Sequence, residues 1–155
     1  MRSMRIIPIL LIDNGGIYKT SKFKNPIYIG DPINSIRLFN NLSVDEIVVL
    51  DIGASKCKKT DFGMIREMAS EAFMPLAYGG GIGSVNQAEI AFKCGLEKVV
   101  INHSIQNEST LITECANHFG SQSIVASIDY KKNIFKQNLQ YDHVSRRMLK
   151  ISVLD

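Results

Sequence analysis

The sequence predicts an α/β fold on a parallel sheet, and within that class a TIM (β/α)8 barrel of which about the first five βα units are present. Three observations predict it. Short apolar runs suited to buried strands alternate with segments of helical periodicity, in the order β-α-β-α-β-α-β-α-β. The units are roughly 25 to 40 residues long, enough for a helical crossover between parallel strands. Polar and glycine residues gather at strand C-terminal ends: Asp51, the run from Gly79 to Gly83, Asn102 and Asp129. In a barrel these ends form one rim, where sites sit. In an open doubly wound sheet they converge only at a switch point. Spacing alone leaves both closures open; the gathered ends favour the barrel.

The elements follow in order. Arg5 to Ile12 is an apolar run expected to be a first strand buried on both faces, although Pro8 lacks a ladder donor. Residues 13 to 31, with Gly15, Gly16, Pro26 and Gly30, read as a long connection of the kind that forms a lid or binding loop. Asp31-Pro32 opens a helix, Asp31 as cap and Pro32 at the first helical position. Glu46 to Ile52 is the second strand and ends on Asp51. Gly53 to Thr60 reads as a polar loop, followed by a helix carrying Phe62, Ile65 and Met68. Met74 to Tyr78 is the third strand. Ser84 and Gln87 have the spacing of a capping box for the next helix, which Gly95 ends. Lys98 to Ile101 is strand four. A helix through Leu111 and Cys115 stops near Gly120, and Gln122 to Ile128 is strand five. Residues 130 to 140 are polar and basic and read as a hairpin or loop.

A complete barrel needs around 200 residues or more. The chain has 155, so the expected unit is one partial barrel domain over 1–155, truncated or a half-barrel, whose open edges favour a homo-oligomer. Hydrophobic residues make up 45% and charged residues 21%, a balance that supplies a core. A net charge of +3 and scattered lysines favour small anions over nucleic acid. No apolar run is long enough to span a membrane. Cys57, Cys94 and Cys115 fit no disulfide framework or zinc spacing, which points to free thiols in a cytoplasmic setting. Neither a metal cluster nor a cofactor motif is expected.

The glycine run is the best local signal for chemistry. Glycines after a strand let backbone approach an anion, and the next helix offers unpaired N–H groups. The plain alternative is a tight turn. The run is neither a dinucleotide fingerprint nor a P-loop. Asn102 and His103 stand at the next strand end and can reach the same phosphate; a structural histidine is the competing reading. Asp129 is a rim carboxylate suited to acid–base work, or else a cap. Asp51 can orient substrate or pair with a nearby cation. Lys19, in the first connection, can close over an anion, or belong to a solvated basic stretch with Lys22 and Lys24. Arg5, Glu46 and Lys98 open strands one, two and four, so a barrel would set all three at its N-terminal mouth.

Taken together, the segments RIIP (5–8), GDP (30–32), DEIVVLDI (45–52), YGGGI (78–82), KVVIN (98–102) and FGSQSIVASID (119–129) resemble the cyclase subunit of imidazole glycerol phosphate synthase. The likeness runs from about residue 4 to residue 132. It implies a barrel that takes ammonia from a glutaminase partner and delivers it to a two-phosphate ribulosyl nucleotide intermediate at the C-terminal rim. Under it, Asp129 and Lys19 are catalytic, and Gly80, Gly81, Asn102 and His103 hold a phosphate. Arg5, Glu46 and Lys98 gate ammonia on the glutaminase face.

One departure matters. The family's strand-one aspartate is Leu11 here, which removes half of its acid–base pair. In that respect the chain looks more like a divergent branch from surface-polysaccharide clusters, which serves amidino-sugar synthesis with a glutaminase and a separate ATP-dependent amidotransferase. The competing expectations are a true histidine-pathway cyclase, an inactive fragment, and an isomerase of phosphorylated sugars on the same barrel.

Overall fold

The computed structural model of the chain describes residues 4–21, 24–57, 59–102, 110–132, 138–142 and 147–150. The first strand, β1 (Ile9–Asp13), turns tightly into β2 (Gly16–Ser21), and β3 (Lys24–Gly30) returns alongside it. Helix α1 (Pro32–Asn41) leads to β4 (Ile47–Asp51), then α2 (Ile52–Cys57) and α3 (Phe62–Glu71). Next come β5 (Leu76–Gly79), α4 (Val85–Lys93), β6 (Lys98–Ile101) and α5 (Thr110–Phe119). A single 3-10 turn (Ser121–Ser123) enters β7 (Ile124–Ala126). Three further strands, β8 (Tyr130–Lys132), β9 (Asn138–Asp142) and β10 (Arg147–Lys150), form a separate antiparallel sheet in the order β10-β9-β8.

The main sheet has the order β3-β2-β1-β4-β5-β6-β7, and β1, β4, β5, β6 and β7 are mutually parallel. These are the five strands of an unclosed barrel. The two strand faces differ. Leu10, Ile12, Ile47, Val49, Leu76, Tyr78, Val99 and Ile101 join Ile36 of α1, Ile65 and Met68 of α3, Ala88 and Ala91 of α4, and Leu111 and Cys115 of α5 in one core. The helices touch in the sequence α1–α3–α4–α5, a single layer following the strand order. A doubly wound sheet would carry helices on both faces, so this one-sided layer decides for the barrel.

The opposite face carries Ile9, Leu11, Val48, Leu50, Ala77, Lys98, Val100 and Val125, as strand alternation and the pairing register require. It is the concave face that a closed barrel turns into its bore. Ile7 is 40% and Ile9 61% exposed there. The first strand is therefore buried on one face only, not on both as its continuous apolar sequence suggests. Its lead-in, residues 6 to 8, still runs along β4: Ile6 O accepts from Asp45 N, and Pro8 O from Val48 N. Pro8 thus contributes an acceptor and its missing donor leaves the pairing intact.

The connection expected over 13–31 is instead a β-hairpin followed by an antiparallel partner strand. Asn14 and Gly15, at φ 47° and 76°, make the two-residue turn between paired Asp13 and Gly16, the geometry that Asn-Gly favours in hairpins. Ile17, Tyr18, Ile27, Tyr28 and Ile29 supply strand-forming side chains. Tyr18 and Tyr28 meet edge to face, ring centroids 5.7 Å apart. The second departure is α2, where a polar loop was expected. Asp51 Oδ1 accepts from Ala54 N at 2.7 Å and starts that helix, and Ala54 is buried beneath it. The third is the fifth parallel strand, which is shorter than 122–128 because its first residues coil into the 3-10 turn.

The caps follow the sequence closely. Asp31 Oδ1 accepts from Asn34 N at 2.9 Å and Asp61 Oδ1 from Met64 N at 3.0 Å. Ser84 Oγ accepts from Gln87 N while Gln87 Oε1 accepts from Gly83 N, a reciprocal box that starts α4. Among the described residues no helix is long and apolar enough to cross a membrane.

Candidate functional site

The parallel strands give the sheet two chemically distinct ends. At the N-terminal end, Arg5 precedes β1, Glu46 precedes β4 and Lys98 opens β6. All three keep step with the concave face. Glu46 Oε2 accepts from Arg5 Nη2 at 3.1 Å and from Lys98 Nζ at 2.6 Å. The Glu46 side chain is 5% exposed, Lys98 22% and Arg5 55%. One buried carboxylate thus binds two cations from different strands. The separate strand starts noted in the sequence form one cluster, with its anion in the middle.

At the C-terminal end, Asn102 follows β6. Its Nδ2 donates to Ser127 Oγ and to Asp129 Oδ2, both at 3.3 Å. All three side chains are half-buried. Ser127 was not singled out by sequence reasoning. Its signal was the parity it shares with Asp129, two residues on. Leu11 lies on the same concave face, paired in register with Leu50. Leu11 itself offers no proton-transfer group; the nearest carboxylate of that strand is Asp13, two residues on, whose Oδ2 accepts from Lys56 Nζ at 3.1 Å. Lys19 is exposed on β2, with β1, β4, β5 and β6 between β2 and β7 in the sheet order. His103 lies outside the described residues.

Asp51 and the glycine run form a third group. Asp51 shares the parity of Ile47 and Val49 and so turns toward the helices, away from the concave face. It is 6% exposed. Oδ1 accepts from Ala54 N, Oδ2 accepts from the Tyr78 hydroxyl at 3.1 Å, and its carbonyl accepts from Ser55 Oγ at 2.9 Å. The expectation of a carboxylate orienting substrate meets one already committed inside the protein. Burial, reinforced by the Asp51 charge, pushes the Tyr78 phenol far above its ordinary value, so it stays a neutral donor.

Gly80 and Gly81 have φ 143° and 72°. A Cβ at Gly80 would stand 2.5 Å from Asp51 O, and one at Gly81 would stand 2.9 Å from Thr60 Oγ1. Thr60 Oγ1 donates to Gly80 O at 3.0 Å. The glycines are therefore required by close backbone approach, and the turn they form lies at the start of capped helix α4.

The histidine biosynthesis protein family matches residues 5–152. The chain belongs to that family. Within it, the chain is 45% identical over 152 residues to a Pseudomonas aeruginosa protein named "Putative imidazole glycerol phosphate synthase subunit hisF2", covering 97% of this chain and 61% of that protein. It is 42% identical over 141 residues to a like-named HisF subunit of Leptospira interrogans, covering 90% and 56%. It is 39% identical over 133 residues to imidazole glycerol phosphate synthase subunit HisF of Streptococcus mutans, covering 85% and 53%. The chain thus spans little more than half the length of these histidine biosynthesis relatives. The five parallel strands with their single helix layer are the corresponding part of the family's barrel.

Proposed function

We propose that the chain carries the phosphate-binding rim and the ammonia-admitting mouth of a cyclase-like subunit of a glutamine-dependent amidotransferase. The observation that carries this reading is the Glu46 cluster. A buried carboxylate held by Arg5 and Lys98 at the N-terminal end of the concave face is suited to guard a narrow polar entrance. Opening needs only that the partly exposed Arg5 or Lys98 side chain swing aside. The partner on that face is a glutaminase, as the family likeness implies. Phe73, 87% exposed in the segment before β5, gives the same end of the sheet an apolar contact point.

At the rim, the turn at Gly80 and Gly81 together with Asn102 and His103 takes a substrate phosphate, and Asp129 works as acid or base with Asn102 holding its carboxylate. Lys19, exposed on β2 beside the first strand, is the cation that would close over the same anion. Leu11 supports an acceptor other than the histidine-pathway intermediate, namely amidino-sugar synthesis with a separate ATP-dependent amidotransferase, because ammonia conduction needs a bore and a gate but no acid on strand one. The Asn102–Asp129 pair supports the second reading, a histidine-pathway cyclase with an altered proton route.

The test is ammonia-dependent turnover of the two-phosphate ribulosyl intermediate by the full gene product, alone and with the glutaminase. The expected result is no turnover with ammonia alone, but stimulated glutaminase activity on mixing. Turnover with ammonia alone would establish the histidine reading, and silence in both assays would remove both.

A further inference from the structure

We infer that Tyr78 is a positioning residue: through its hydrogen bond to Asp51 it fixes the conformation of the turn formed by Gly79, Gly80 and Gly81. The inference rests on the reading that this turn receives a phosphate, and deepens it by naming what holds the turn in place.

Tyr78 is fully buried on the helix side of β5, where an apolar side chain would fill the space as well. A phenol hydroxyl is costly there unless it is bonded. Its bond goes to Asp51 Oδ2, at the end of the neighbouring strand β4. The same strand that carries Tyr78 carries the turn one residue later. Gly80 then lies against the Asp51 backbone and Cβ, and Gly81 against Thr60 and the Ala54 carbonyl. Asp51 Oδ1 holds Ala54 N, and Thr60 Oγ1 holds Gly80 O. Asp51, Ala54 and Thr60 thus make the surface on which the turn rests, and the Tyr78 hydroxyl ties that surface to β5. Without the hydroxyl, one oxygen of a buried carboxylate loses its donor, and Asp51 shifts toward another. Because Gly80 has no space to spare against Asp51, the turn shifts with it.

The experiment compares the full chain with Tyr78→Phe, and with Asp51→Ala as a second variant, by residue-resolved amide exchange and by titration with inorganic phosphate. In Tyr78→Phe the amides of Gly80, Gly81 and Ile82 are expected to exchange on the order of tenfold faster, the scale of one lost buried hydrogen bond. Those of Ile65 and Val99 in the core should stay unchanged. Exchange at the turn within about twofold of the parent overturns the inference, and so does equal acceleration at every amide, which would make Tyr78 a core filler only. Asp51→Ala, which removes both acceptors, should reproduce the local effect; an unaltered turn in that variant also overturns it. In the titration, saturable shifts at Gly81 and Ile82 in the parent that weaken in Tyr78→Phe support the inference, and equal affinity in both overturns the link to the ligand. No phosphate response in the parent removes the phosphate reading alone, and the exchange data still decide the role of Tyr78.

Discussion

Asp51 illustrates how little the position of a carboxylate at a strand end says about its direction. One residue of parity separates a side chain on the concave face from one buried under the helices. Parity with Ile47 and Val49 was available in the sequence, and it assigns Asp51 to the helix side. Arg5, Glu46 and Lys98 were legible for the complementary reason: each sits at a strand start and on one parity, so a curved parallel sheet draws them together. Tyr78 gives a prediction at this scale. Its pKa is raised in the folded chain, so above about pH 10 the unfolded chain loses a proton that the folded chain keeps. Stability falls with rising pH in that window, by up to about 1.4 kcal/mol per pH unit from this one group. The contribution is fully present below pH 10. Denaturant unfolding between pH 9 and 11 should therefore show a steeper decline in the parent than in Tyr78→Phe; parallel curves would contradict the buried phenol.

Among the elements, the starts of α1 and α4 were read correctly because capping is a local matter. Asp31 with Pro32, and Ser84 with Gln87, need only residues three or four positions apart. Replacing Asp31 by Ala should lower stability by about 0.5–2 kcal/mol, measured by chemical denaturation, with an unchanged slope. Ile65→Ala, in the core where α3 packs between α1 and α4, should cost about 2–5 kcal/mol, because its neighbours are fixed by their own packing. The β2–β3 ribbon was not read correctly. Gly15, Gly16, Pro26 and three lysines have the composition of a loop, yet Asn14-Gly15 followed by Ile17 and Tyr18 is a hairpin signal. Composition and turn chemistry conflicted, and the turn chemistry prevailed because β1 offered an edge to pair with. Helix α2 was missed because its start depends on Asp51 facing inward, which is settled by the sheet rather than by the segment itself.

For the molecule as a whole, the one-sided helix layer leaves the concave face to whatever completes the barrel, and the Glu46 cluster crosses that face. Its two ion pairs join residues 41 and 52 positions apart in the chain. Contacts that close such long stretches form after local helices and neighbouring strands are in place, since the loop entropy must be met first. The cluster should then be a late latch rather than part of a folding nucleus. Glu46→Gln, at a cost on the order of 2 kcal/mol, should accelerate unfolding about thirtyfold while leaving refolding nearly unchanged, read from the two arms of a stopped-flow chevron. The residues that would admit ammonia would on that account also set how long the folded sheet lasts. A substitution that eases passage through the mouth would shorten the lifetime of the native state without slowing its formation.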